Sequence, residues 1–297
     1  MIGSKLVVLM FLLLFAISGI SNSQPDGVEN DPLRVMSYNI RYHNPDDGIN
    51  RWTNRRNRVA NLVRFNRADI IGMQEVLHSQ LKWLDQHLEG YAWVGVGRTD
   101  GKMKGEYSPI FYDTSRVDSL DSGTFWLSPQ PDEPGVGWDA ALPRICTWIL
   151  LQERSSGREL MVFNTHFDHI GEIARDESAK VILDKMDELS DAGIPLVLTG
   201  DFNTEPGTEP YEIITGTLHD AMKKSRSPHY GPMATFFDEG GGFSVGSGKG
   251  GRRIDYIFVS DRLDVLRHGI LSTFRDGYFP SDHLPVVVDI AIGDPEE

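Results

Sequence analysis

The sequence predicts an α/β chain of the α+β kind, with two mixed β-sheets at its centre and helices outside. Three observations predict it. Apolar β-type runs outnumber helical periodicities, and the helical periodicities fall between strands in both halves of the chain. Between residues 91 and 165 several strands follow one another with no helix between them, which an all-parallel sheet does not allow. No repeat and no linker divides the chain, so residues 33–293 read as one domain.

Ahead of that domain, Lys5 and the apolar run from Val7 to Ile17 precede the small residues Ser18, Gly19, Ser21 and Ser23. This is the pattern of a secretory signal peptide over residues 1–23, and the run is short for a membrane span. Residues 24–32 are polar, carry Pro25 and Pro32, and read as a disordered leader. The protein is therefore expected to be secreted or periplasmic, without stable membrane insertion after signal cleavage, and to act as a monomer. Cys146 is the only cysteine, so no internal disulfide forms and the core must supply the stability. The formal net charge is −14. That argues against a protein that holds long nucleic acid on a basic surface, though not against a nuclease with a small active-site patch.

The elements follow in order. Leu33 to Ile40 alternates and is β-rich, a strand ending at Asn39. Residues 43–51 hold Pro45, Gly48 and Asn50 and form a loop. Thr53 or Asn54 is expected to cap a helix with Val59, Leu62 and Val63 inward and Arg55, Arg56 and Arg58 on its wet face. Ala68 to Met73 is a short buried strand ending at Gln74-Glu75. Leu77, Leu81, Leu84 and Leu88 recur at helical spacing, and Gly90 stops that helix. Strands are expected at Tyr91–Val96, Pro109–Tyr112, Val117–Leu127, Ile145–Gln152 and Leu160–Thr165. Between them lie long loops at 97–108 and 128–143, a length that favours function. A helix from Glu172 to Ala192 buries Ile182, Leu183, Met186 and Leu189. Ile194 to Leu198 is a buried strand that stops at Gly200-Asp201-Phe202-Asn203, closed by the turn Pro206-Gly207. A short helix near Pro210–Thr215 follows. Gly240, Gly241, Gly242, Gly246, Gly248, Gly250 and Gly251 then mark a flexible surface loop, with Phe243 and Val245 too few to be core. The last strands are Ile254–Val259, Leu263–Leu271 and Pro285–Ile292.

The strand ends share one chemistry: Asn39, Gln74-Glu75, Asn164-x-His166, Asp201-x-Asn203 and Asp282-His283, with Asp255 beside them. Each polar residue interrupts or ends an apolar run, and rims at strand ends in α/β sheets are where ligands sit. Asn, Glu, Asp and His without a thiolate suit Mg²⁺, or Mn²⁺, better than zinc. Glu75 is the best first ligand, with Asn39 and Asp282 next. His166 is placed to donate to a phosphate oxygen, and Asp255 to orient His283. Asp201 is a candidate to orient or deprotonate the attacking water, and Asn203 to hold phosphate or that water. Arg144 and Tyr107 are expected to add donors to the substrate. Asp168 is either a substrate contact or a cap for the 172–192 helix. His166 and His169 have the spacing of an HxxH pair, but residues three apart on a strand face opposite sides, which argues against a shared zinc.

As a set these motifs resemble the endonuclease/exonuclease/phosphatase superfamily, with the deoxyribonuclease I-like fold, from about Val35 to Ile290. The resemblance implies a four-layer α/β sandwich, a divalent metal served by Asn39 and Glu75 with Asp282 at its edge, and phosphoester hydrolysis by an activated water. It implies that His166, Asp201 and Asn203 serve phosphate and water, and that Asp255 supports His283. Whether Asp201 or His283 is the base stays open. Segments such as Gly105-Glu106-Tyr107-Ser108-Pro109-Ile110-Phe111-Tyr112 and Gly137-Trp138-Asp139-Ala140-Ala141 are similar to a secreted bacterial branch that itself resembles deadenylase-type exonucleases. One departure is Arg41, where some DNA-repair members carry an acid. The expected activity is that of a secreted, Mg²⁺-dependent phosphodiesterase or nuclease. The alternative is a phosphatase or phospholipase-like diesterase for a small phosphorylated metabolite or lipid head group, which the acidic surface favours.

Overall fold

Side chains alternate sides along a strand, and that period of two explains the architecture. The computed structural model describes residues 31–190, 193–237, 242–245 and 250–293. The predicted signal peptide, the leader up to residue 30, the end of the predicted 172–192 helix, and Gly240, Gly241, Gly246 and Gly248 lie outside the described residues. Among the described residues no helix is long and apolar enough to cross a membrane.

The chain opens with β1 (Leu33–Asn39), a 3-10 segment (Pro45–Asn50) and α1 (Trp52–Asn66). Then come β2 (Ile70–Gln74), β3 (Val76–Leu77), α2 (His78–His87), β4 (Tyr91–Val94), β5 (Glu106–Tyr107) and β6 (Ile110–Asp113). A second group comprises β7 (Val117–Trp126), β8 (Ile145–Glu153), β9 (Glu159–His166), α3 (Glu172–Leu189), β10 (Leu196–Asp201) and α4 (Glu209–Thr215). The chain closes with β11 (His219–Asp220), α5 (Ala221–Lys224), β12 (Phe236–Phe237), β13 (Gly251–Arg252), β14 (Asp255–Val259), β15 (Leu263–Ile270) and β16 (Val286–Ile292). Two six-stranded sheets result, in the orders β15-β16-β1-β2-β6-β4 and β11-β14-β10-β9-β8-β7. Both are mixed: β1 runs parallel to β2 and antiparallel to β16, and β10 runs parallel to β9 and antiparallel to β14.

The alternation sorts the apolar residues into three layers. Leu33 and Val35 of β1, Ile70 of β2, Val162 of β9, Val197 of β10 and Ile257 of β14 meet between the sheets. Their neighbours Met36, Tyr38, Ile71 and Met73 face α1 and α2. Met161, Phe163, Leu198, Tyr256 and Phe258 face α3 and α4. The outcome is a four-layer sandwich, helix–sheet–sheet–helix, as the resemblance implied. Fully burying each large apolar side chain contributes roughly 1.5–3 kcal/mol.

Two local expectations change. α1 begins at Trp52, ahead of Thr53 and Asn54, with no side-chain cap. Trp52 is buried against α2, so packing rather than capping sets the start. The predicted loop at 97–108 contains β5, which pairs antiparallel with β3 in a separate two-stranded sheet.

Candidate active site

The same alternation carries the polar residues inward. Following Leu33 and Val35, the next inward positions of β1 are Ser37 and Asn39; following Ile70 in β2, they are Gly72 and Gln74. In β9 they are Asn164 and His166, in β10 Thr199 and Asp201, and antiparallel β14 enters the same end at Asp255. Each inner face is thus apolar at one end and polar at the other. A buried network ties the sheets together below the rim. Gln74 Nε2 donates to Asn164 Oδ1 at 2.7 Å, Thr199 Oγ1 donates to the same oxygen at 3.0 Å, and Asn164 Nδ2 donates to Met73 O at 2.8 Å. A Cβ on Gly72 would lie 2.1 Å from Thr199 Oγ1, so only glycine admits this approach.

Three residues just past strand ends have left-handed backbones without being glycine: Arg41 (φ 58), Glu75 (φ 59) and Asn203 (φ 48). Each such conformation costs on the order of 1 kcal/mol or more and turns a side chain that would otherwise continue the strand alternation. All three line one cleft, with a volume of ≈ 660 Å³.

At its floor Asn39 Nδ2 donates to Asp201 Oδ2 at 2.8 Å and to Glu75 Oε1 at 3.1 Å. Asp201 Oδ2 lies 3.6 Å from His166 Nε2 and 3.7 Å from His283 Nε2. His283 Nδ1 meets Asp255 Oδ2 at 2.8 Å, so its other nitrogen faces the cleft, and Phe236 packs on its ring at 4.8 Å. Burial alone would lower the His283 imidazole, but Asp255, Asp201 and Asp282 outweigh it and raise it to about 10. Burial and the neighbouring Asp255 charge raise the Asp201 carboxyl to about 7. Burial also pushes Glu75 up, yet His283, Arg41 and bonds from Tyr42 N and Asn39 hold it below its ordinary value. His166 is driven far down by burial and by Arg144 and Arg98, so it is neutral.

The other side of His166 is basic. Arg98 and Glu106 form a two-pronged ion pair, at 2.9 and 3.0 Å. Arg144, 3% exposed, is held by Asp168 Oδ2 at Nε (3.2 Å) and by His169 Nδ1 at Nη2 (3.0 Å), while its Nη1 has no hydrogen-bond partner among the described residues. His166 Nδ1 is likewise buried without a hydrogen-bond partner among the described residues, with Glu106 Oε2 3.9 Å away. Buried donors left in this state cost roughly 1–3 kcal/mol each, and an anionic ligand in the cleft would satisfy them.

The structure brings together most of the predicted residues. Glu75, Arg144, His166, Asp201, Asn203, Asp282 and His283 line the cleft, with Asn39 and Asp255 directly behind it. Two substrate contacts do not reach it. Tyr107 is 2% exposed and gives its hydroxyl to Lys102 O at 2.9 Å; its neighbour Glu106 lines the cleft instead, because adjacent strand residues face opposite sides. Asp168 is 1% exposed, accepts from Ile170 N and Gly171 N at 2.9 Å, and positions Arg144. The cap of α3 comes from Asp139, which accepts from Ala174 N at 2.7 Å. Asn39 and Asp282, expected as metal ligands, are engaged otherwise. Asn39 turns its amide nitrogen to the carboxylates and its oxygen to Arg41 N (3.0 Å), and Asp282 faces Ser281 and Arg41. His166 and His169 do line the same cleft, because β9 ends at His166 and the chain turns.

Sequence reasoning missed Arg98, Glu106 and Arg55. Arg55 is not on a wet face: it is wholly buried and donates to Ile40 O, Pro280 O (3.2 Å), Arg41 O (2.6 Å) and Asn50 O (2.8 Å). Its position next to buried Val59 and Trp52 on the helix was the available signal. Phe243, expected in a mobile surface loop, is 4% exposed and packs beside Arg55.

The donor set fits a divalent cation. Among the described residues, Glu75, Asp201 and His283 each bring one ligand-type atom within 4.8 Å of the others. Carboxylate oxygen dominates the set, which suits a hard ion. Asp255 at Nδ1 turns His283 Nε2 toward Asp201, and Glu75, with Asp201 in reach, brings the carboxylate oxygens a hard ion prefers.

Converging carboxylates and imidazoles beside buried guanidiniums, at the rim of a two-sheet sandwich, are groups that phosphoester hydrolysis calls on. The chain belongs to the Endonuclease/Exonuclease/phosphatase family, whose model matches residues 36–283. It is 40% identical to a member of that family from Bacteroides thetaiotaomicron, with a TM-score of 0.81 over 89% of this chain and 98% of that one. It is 41% identical to a mannosyl-6-phosphatase from the same organism, with a TM-score of 0.79 over 88% of this chain and 100% of that one. The human Nocturnin catalytic domain, solved with a bound sulfate anion, is 22% identical with a TM-score of 0.68 over 89% of this chain and 95% of that one, a likeness of fold alone.

Proposed function

We propose that this chain is an exported, monomeric, Mg²⁺-dependent phosphomonoesterase that removes a terminal phosphate from a small polar metabolite of the sugar-phosphate class. The observation that carries the reading is the buried Arg144, whose Nη1 lacks a hydrogen-bond partner among the described residues, with Arg98 and His166 beside it in a cleft of ≈ 660 Å³. A phosphomonoester carries close to two negative charges at neutral pH and presents three non-bridging oxygens, which a diester does not. Buried guanidiniums therefore favour the monoester, and a cleft of this size suits a small molecule. The net charge of −14 disfavours a polyanion, and the mannosyl-6-phosphatase relative supports the same substrate class. This prefers the second of the two activities expected from sequence.

Glu75, with Asp201 in reach, would hold the divalent ion, which when bound polarises a phosphoryl oxygen and stabilises the leaving alkoxide. Asp255 orients His283, whose protonated Nε2 donates to a phosphoryl oxygen. Asp201, whose Oδ2 lies 3.6 Å from His166 Nε2 and 3.7 Å from His283 Nε2, takes the proton of the attacking water. Neutral His166 donates to the phosphate through one nitrogen, and Asn203, kept in place by Phe167 O at 3.0 Å, borders the water.

The test is a hydrolysis panel of hexose 6-phosphates, bis(p-nitrophenyl) phosphate, single-stranded RNA and DNA, and sphingomyelin, with Mg²⁺ and with chelator. A sugar phosphate should exceed the diesters in kcat/KM by about 10²-fold, as expected of a site built around extra polar contacts. Chelator should abolish turnover and Mg²⁺ should restore it. Turnover that persists in chelator removes the metal mechanism, and a preference for oligonucleotides replaces the phosphatase reading with a nuclease.

A further inference from the structure

Asp282 is 6% exposed, and a buried carboxylate is costly unless it is paired or hydrogen-bonded. Its Oδ1 lies 3.2 Å from Ser281 Oγ, and Gly242 closes another side, since a Cβ there would lie 2.5 Å from the Asp282 Cβ. Its Oδ2 faces Arg41 Nε at 3.6 Å. The same guanidinium reaches Glu75 Oε2 at 4.0 Å and is held from behind by Asp47 at 3.2 Å.

This placement is built. Arg41 has a left-handed backbone (φ 58), and its N–H is bound by Asn39 Oδ1 at 3.0 Å. Buried Arg55 donates both to Arg41 O and to Pro280 O, tying the loop that carries Arg41 to the loop that carries Asp282. Arg41 also lies over the Tyr42 ring, its guanidinium carbon 4.6 Å from the centroid.

We propose that Arg41 is the second cation of the active site. The chain binds one divalent ion, on the Glu75 side, and the Arg41 guanidinium holds the position between Glu75 and Asp282 that a second ion would need. Asp282 is then the counter-ion of Arg41 rather than a ligand. The fixed positive charge repels a further divalent ion and needs no reloading between turnovers. This inference rests on the divalent-ion reading of the site.

The experiment counts bound Mn²⁺ by electron paramagnetic resonance titration of the full-length chain, with circular dichroism checking the fold. Wild type and Arg41→Lys should bind one Mn²⁺ per chain. Arg41→Met should bind two, and the first should bind about tenfold more tightly, since a nearby positive charge has gone. Asp282→Asn in the wild-type background should still bind one, more weakly by no more than about tenfold, since a nearby negative charge has gone. Two ions in wild type, or one in Arg41→Met, overturns the assignment, and a lost ion in Asp282→Asn does the same. No Mn²⁺ bound to wild type would instead sink the divalent-ion reading beneath it.

Discussion

Replacing Arg55 by Met would test whether one buried guanidinium holds the rim together. Arg55 is 0% exposed and donates to carbonyls on both loops that flank the cleft. Its bonds to Ile40 O and Pro280 O are wholly buried. Methionine fills most of the space and removes the cost of burying a charge, but leaves those oxygens without donors. An unsatisfied buried acceptor costs about 1–3 kcal/mol, so two, partly offset by the relieved charge, amount to roughly 3–4 kcal/mol. Urea unfolding followed by tryptophan fluorescence would measure this as a shift of the midpoint at unchanged slope. Under conditions where the variant stays folded, kcat should fall by about tenfold or more, because Arg41 and Asp282 lose their common tether. Arg55→Lys should fall between the two, since one ammonium cannot reach all these carbonyls. A destabilisation of Arg55→Met below about 1 kcal/mol, with kcat intact, would refute the tether.

Three further outcomes are expected. Asp201→Ala and His283→Ala should each lower kcat by at least ~10² with the fold retained, from lost acid–base or electrostatic assistance; near wild-type rates would reject the roles given to them. Tyr107→Phe should leave kcat/KM within about twofold while costing ~1 kcal/mol, because its hydroxyl bonds Lys102 O rather than substrate; a large kinetic loss would return it to the site. Acid stability should depend on His268, which burial and the adjacent His229 hold down to about 3 from an ordinary 6.5. The unfolded chain then binds a proton that the folded chain refuses, so this stabilisation is complete above 6.5 and is lost as pH falls toward 3. At pH 5 the loss is about 2 kcal/mol relative to pH 7.5, and His268→Gln should remove that part of the pH dependence.

The strand ends were legible because a buried strand has little reason to end in Asn, Asp or His unless those groups are used. Asp201, His283, His166 and Glu75 were placed from that signal, and Asp255 beside His283 from the chemistry of a carboxylate behind an imidazole; the first four line one cleft and Asp255 lies directly behind it. Roles that depend on which way a side chain turns were not legible. Tyr107 and Glu106 are neighbours in a two-residue strand, and only the pairing of β5 with β3 decides that Glu106 faces the cleft. Asp168 can contact a ligand or cap a helix with equal chemical sense, and the position of Arg144 draws it to neither, since it fastens the loop and the guanidinium together. Arg55 looked solvated because three arginines in one helical turn usually are.

By itself the sequence determined the alternation that sends apolar residues to three layers and polar ones to the rim, because that period is a property of the strand backbone. It determined as well that the rim would carry hard oxygen donors and imidazoles without a thiolate. Only the tertiary structure decided which of those groups meet. The left-handed turns at Arg41, Glu75 and Asn203 and the packing of the two sheets bring Asn39 within hydrogen-bonding range of Asp201 and His283 Nε2 to 3.7 Å from it. Such contacts depend on the relative placement of whole layers, which no local pattern encodes.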